Sequence, residues 1–209
     1  MIGKLKMLNE NTLQAVNSAK IAAELYCAQE ITRSLSISSK NLRVLAKRIG
    51  ESASGLAVLA SFYDECSRES ILLADHVNSI TTESAHNAVK EWRYSLFEDK
   101  LKQVCSKMGD IPIPSIIAAV LDSKPERELE RKEHISLLNR ELHDLLISMQ
   151  KNIRSIAVIA VNSKIEAPRT GIHSSVLLDM AQNVEVMITQ ILKHINLALK
   201  LLSTNKQLL

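Results

Sequence analysis

The 209-residue chain is 46% hydrophobic but only 3% aromatic and poor in Gly and Pro, so its apolar content is Leu, Ile, Val and Ala, the composition of a helical bundle large enough to bury a core. Its formal charge of +3 comes from 26 basic and 23 acidic residues mixed along the chain, so the basic stripe with interleaved aromatics that a nucleic-acid surface needs is not expected, and nucleic acid is not the expected partner. Cys27, Cys66 and Cys105, odd in number and set inside helical patterns, exclude a disulfide framework, fit a reducing compartment and read as small core residues.

Residues 1–10 carry Lys4, Lys6 and Glu10 and no continuous apolar stretch, so they do not read as a signal peptide. A first helix is predicted over about 5–47, on the loose pattern Leu13, Val16, Ile21, Leu25, Ala28, Ile31, Leu35 and Leu42 among many Ala and Ser residues. After a break at 48–51, a second helix over about 52–106 shows a heptad seam of Leu56, Leu59, Tyr63, Cys66, Ser70, Leu73, Val77 and Ile80. Ser84, Asn87 and Glu91 then fall on seam positions before Tyr94 and Leu101 resume it, which points to a register shift or an exposed helix end. Trp92, Tyr94 and Phe97 cluster there, as a cover for the base of the bundle or as a partner-binding patch.

Gly109, Pro112 and Pro114 must stop any helix. The longest uncharged run, 111–121, contains two prolines and falls far short of the roughly 20 apolar residues of a membrane span. Cytoplasmic placement without membrane insertion is expected. Residues 115–122 can form a short apolar helix, and Ser123-Lys124-Pro125-Glu126 supplies a cap, a first-turn proline and a Glu three residues after the cap. The third long helix, about 125–166, has the seam Ile135, Leu138, Leu142, Leu145, Met149, Asn152, Ile156 and Ile159, with Asn152 the outlier. A second break at 168–171 precedes the last helix, about 173–204, seamed by Leu177, Met180, Val184, Met187, Ile191, His194, Ala198 and Leu201.

Each member of that last seam stands 121 residues after its counterpart in the second helix, and Asn41, Arg48, Gly50 and Ala60 recur at the same interval as Asn162, Arg169, Gly171 and Ala181. The chain is thus one helical hairpin written twice. The fold expected is all-α: a single domain, a long antiparallel four-helix bundle of hairpin one (1–107), a connection (108–124) and hairpin two (125–209). Arms of about 40 residues are roughly 60 Å long, and short breaks put both tips at one end with the termini and the proline connection at the other.

The stretch from Asn41 to Ala60, with Ala46, Arg48, Gly50, Glu51, Gly55 and Ala57-Val58-Leu59-Ala60, resembles the hairpin tip of methyl-accepting chemotaxis receptors, whose pattern in one-letter code is NxxIEAARAGExGxGFAVVA. The second copy keeps Asn162, Ile165-Glu166-Ala167, Arg169 and Gly171. The tip similarity covers about 20 residues per copy; the arms suit the family throughout. Such receptors pair two identical hairpins as a dimeric bundle, so the resemblance implies a fused pseudo-dimer, monomeric or paired again as a homo-oligomer. It implies a signalling or adaptor protein whose tips bind a chemotaxis histidine kinase, its coupling protein or other receptor tips. Carried over position by position, Ile37, Val158 and Val161 are apolar contact sites, and Asn41, Arg48, Gly50, Glu51, Asn162, Glu166, Arg169 and Gly171 are tip residues. Arg33 and Arg154 depart from a bulky aromatic of the pattern, Leu45 from its Glu, and Pro168 from a tip alanine. The other reading is a structural or scaffolding bundle with a degenerate tip.

No catalytic, cofactor-binding or metal-binding residue is assigned, and the chain does not read as an enzyme. Carboxylate-bridged metal bundles repeat Glu-x-x-His on two helices, and Glu83-Ser-Ala-His86 stands alone. His134 reads as a solvated histidine and His194 as a satisfied or peripheral core histidine. No phosphate-binding glycine loop or nucleophile elbow occurs.

Overall fold

The computed structural model describes the backbone of residues 2–50, 53–107, 115–122 and 124–206, and side chains mainly over 13–50, 53–107 and 126–204. Its helices are α1 (Ile2–Ile49), α2 (Ser54–Lys107), α3 (Ser115–Asp122), α4 (Lys124–Glu166) and α5 (Ser174–Lys206), with a 3-10 turn at Ala167–His173 before α5. The four long helices and the short apolar one fall where the periodicity places them. The proline connection and the cap at Ser123 lie outside the described residues. At 54 residues, α2 is an arm of about 80 Å.

The arms form an antiparallel square. Helix α1 packs on α2 and α5, and α4 packs on the same two, so α1 and α4 stand at opposite corners. Polar pairs along the arms hold this arrangement: Gln29 to Asp75 and Ser18 to Ser84 join α1 to α2, and Lys164 to Glu185 and Gln150 to Asn196 join α4 to α5. Between the hairpins, Asn152 Nδ2 donates to the Cys66 carbonyl at 2.7 Å and to Ser70 Oγ at 2.8 Å. Tyr63 OH lies 3.2 Å from Ser163 Oγ in the core, and His194 Nδ1 lies 2.7 Å from Glu24 Oε2.

The buried stripe corrects the predicted register by one residue in every second seam position. In α2 the core line is Leu56, Ala60, Tyr63, Ser67, Ser70, Ala74 and Val77, while Leu59, Cys66 and Leu73 stand half-buried beside it. The corresponding shift in α4 puts Leu146, Ile153 and Ala160 in the core beside Leu142, Met149 and Ile156; in α5 it puts Ala181, Ile188 and Ile195 there. In α2 the small core residues Ala60, Ser67 and Ala74 carry less apolar signal than the larger residues flanking them, and the 121-residue repeat extended that register to α5, where Ile188 and Ile195 lie on the core line beside Met187 and His194. Asn152 ceases to be a seam outlier: it stands off the core line, and Ile153 occupies that line.

The shifted register also shows why the two hairpins fit. Hairpin one fills its core largely with Ala28, Thr32, Ala60, Ser67, Ser70 and Ala74, whereas the positions 121 residues on hold Met149, Ile153, Ala181, Ile188, Ile191 and Ile195. Small side chains on one hairpin are matched by large ones from the other, and a cavity of about 10 Å³ remains between Leu42, Tyr63, Ser163 and Val184. Thr32 donates to the Ala28 carbonyl and Thr81 to the Val77 carbonyl, Ser70 accepts from Asn152 across the hairpins, and the buried Ser67 hydroxyl has no hydrogen-bond partner among the described residues.

Near residues 84–92 the register continues unshifted, with Ser84 and Ala88 buried and Glu91 half-buried. The core simply turns small and polar towards the base, where buried Glu98 accepts from Arg127 at 2.8 Å and the Arg127 guanidinium lies 5.4 Å from the Tyr94 ring centre. The cysteines are corrected too. Cys27 is exposed and Cys66 and Cys105 are only half-buried; all three are free thiols. Burial and the neighbouring Glu69 and Glu65 charges push the Cys66 thiol up. No helix among the described residues is long and apolar enough to cross a membrane.

Candidate partner-binding tips

Both reversals turn on glycines with positive φ, the conformation an L side chain resists. At the first tip Gly50 has φ 88°; its N–H donates to the Ala46 carbonyl at 3.1 Å, and Ala53 N–H donates back to the Gly50 carbonyl at 3.0 Å. That i to i−4 bond onto a left-handed residue is a helix C-cap. At the second tip the chain tightens into the 3-10 turn, where Pro168 takes an early position that needs no N–H. Gly171 then adopts φ 61°, ψ −117°, the first central position of a type II′ turn. Thr170 Oγ1 caps the turn from inside with a 2.6 Å bond to the Ala167 carbonyl.

The tips touch. A Cβ built on Gly55 of hairpin one would stand 3.6 Å from Glu166 Oε2 of hairpin two, an ordinary van der Waals separation, so the Glu166 carboxylate lies directly over Gly55. Glu166 also accepts from Arg169 Nη1 at 2.9 Å. Arg48, in contrast, is exposed and has no ion-pair partner among the described residues. Asn41 and Asn162 are exposed on α1 and α4, and Glu51 lies outside the described residues.

The apolar contact residues named from sequence are on the surface: Ile37 is 60% exposed, Val158 62% and Val161 50%. Ile37 and Val158 are equivalent in the two repeats and stand on opposite corners of the bundle. One heptad nearer the tip, Val44 at 51% and Ile165 at 60% form a second equivalent pair, and Ile172 at the apex is 91% exposed. Sequence reasoning missed these three. Their signal was present in the 121-residue spacing of Val44 and Ile165 and in their place on the outermost heptad row, seven residues after Ile37 and Val158. The same exposed apolar row is thus repeated on two corners of the bundle.

Arg33 and Arg154 are exposed, and Arg33 pairs with Glu30 on its own helix. His134 Nε2 lies 3.0 Å from Glu83 and His76 Nε2 3.3 Å from Glu141, all four exposed or half-exposed and all reaching between α2 and α4. Among the described residues no three His, Cys, Asp or Glu side chains converge on a point that could hold a metal ion. Compared with protein-family models, curated proteins and solved structures, the chain matches none.

Proposed function

We propose that this chain is a chemotaxis-receptor-like signalling or adaptor protein of the cytoplasm that works by binding another protein through its two hairpin tips. The observation that carries this reading is the pair of exposed stripes, Ile37 and Val44 on α1 and Val158 and Ile165 on α4, ending in Arg48 and Arg169 at positive-φ glycine turns. Isolated large apolar residues on a surface need no explanation, but the same ones kept at the same depth in both repeats do. The resemblance of the tip segments names the partner class, a chemotaxis histidine kinase or its coupling protein.

Capture of the purified kinase and coupling protein on the immobilised chain tests this. The wild type is expected to retain one of them, and Arg48→Ala with Arg169→Ala to lose at least about tenfold in affinity, as for truncated interface arginines. No retention by the wild type, or retention indifferent to the double substitution, rejects the reading. A scaffolding bundle is the second reading. It is favoured by the divergence of the second tip, where Pro168 and Ile172 stand at the positions of Lys47 and Glu51. It expects tip substitutions to alter stability slightly and binding not at all.

A further inference from the structure

The base of α2 carries an outward face that the bundle does not use. Its outermost row repeats every seven residues as His86, Arg93, Lys100 and Lys107, all exposed. Flanking that row, Val89 is 41% exposed, Leu96 38%, Phe97 52% and Val104 52%, in a chain with few aromatics. A shallow depression of about 570 Å³ lined by His86, Val89, Lys90, Arg93, Tyr94 and Phe97 opens on it. No acidic residue interrupts the outermost row.

The complement stands next door. Along the start of α4, the outward face holds Glu126, Glu130 and Glu133, all exposed, with Leu129 at 61% and Leu137 at 62% exposure; the exposed Lys132 stands beside them, Arg127 and Arg131 are half-buried, and Arg140 follows. The cross-helix pairs Glu83 to His134 and Glu98 to Arg127 set the two faces at the same height in the bundle. We propose that this basal side is an interface between two copies of the chain, the basic aromatic face of α2 in each seating on the acidic leucine face of α4 in the other.

A twofold axis parallel to the helices produces that match. It carries α2 of one copy opposite α4 of the other without changing height, so Arg93 and Lys100 meet Glu130 and Glu126 twice over while Phe97 covers Leu129. The contact is closed and self-complementary, as a cyclic dimer requires. An anionic lipid surface or a foreign acidic helix fits less well, since either approaching the base of α2 also meets the carboxylates of α4 beside it. The tips stay free at the far end of each bundle.

Sedimentation of the full chain tests the pairing. At about 0.1 mM and low salt the wild type should move at twice its 23.2 kDa mass, and about 0.5 M salt should weaken the dimer by screening. Arg93→Glu with Lys100→Glu, and separately Glu126→Lys with Glu130→Lys, should each lower self-affinity about a hundredfold while helix content by circular dichroism stays unchanged. Mixing the two reversed proteins should restore a dimer, because both contacts then pair opposite charges. A wild type that stays at single mass, reversed proteins that dimerise like the wild type, or a mixture that does not associate overturns the proposal. So does a monomeric wild type that binds phosphatidylserine vesicles and loses them on Arg93→Glu with Lys100→Glu, which assigns the face to lipid.

Discussion

Single residues decide how the chain reverses. Gly50 and Gly171 are both glycine in sequence, yet they solve different problems, a left-handed C-cap in one case and the first corner of a type II′ turn in the other. A Cβ on either meets nothing within 4 Å, so any cost of adding it is backbone strain alone. Gly50→Ala should therefore destabilise by about 1 kcal/mol and Gly171→Ala by about 2–3 kcal/mol, because the second conformation is close to glycine-only. Urea midpoints measure the difference, and equal losses would contradict the assignment of turn types. The positions of both glycines were legible, since a glycine after a long periodic run marks a stop. The 3-10 tightening around Pro168 was not, because it depends on how Thr170 and the Glu166 carboxylate pack once the two tips meet.

At the scale of the element, the helices were legible and their buried faces were not entirely so. A seam read from large apolar side chains drifts onto the flank wherever the core line holds Ala, Ser or Thr, as it does at Ala60, Ser67 and Ala74. In α4, where Ile153 lies on the core line and Asn152 beside it, the corrected register is testable with these two neighbours. Ile153→Ala removes a fully buried side chain and should cost about 2–5 kcal/mol, whereas Asn152→Ala removes hydrogen bonds at the edge and should cost about 1 kcal/mol. A seam running through residue 152 demands the opposite order, so chemical denaturation of the two variants separates the registers. The Asn also has a positional use. Bonded to Cys66 and Ser70 of α2, it holds α4 at one height against the other hairpin, as a buried polar residue does in coiled coils.

At the scale of the molecule, the two hairpins are held together by complementary core sizes and a few polar ties, of which Tyr63 to Ser163 is the most enclosed. The Tyr63 hydroxyl is pushed up to about 12, chiefly because burial penalises the phenolate; the Ser163 hydrogen bond opposes this and the Glu185 charge adds to it. A folded-state value above the unfolded one means that the neutral tyrosine stabilises the fold at any pH below about 10, and that this contribution is lost as pH rises through about 12. Its size is on the order of 2–3 kcal/mol. Tyr63→Phe should therefore flatten the fall in stability between those two pH values, and an alkaline limb identical to the wild type's would show that Tyr63 does not control it. Sequence by itself determined the helices, the two reversals and the duplication, because periodicity, glycine and repeat spacing act within one stretch of chain. The one-residue correction to the core line, the large-into-small match of the hairpins, the contact of Gly55 with Glu166 and the opposed charges on the base of α2 and α4 were decided by tertiary structure. Each of these depends on which residue of a distant helix arrives at the same height, and spacing along one chain does not encode that height.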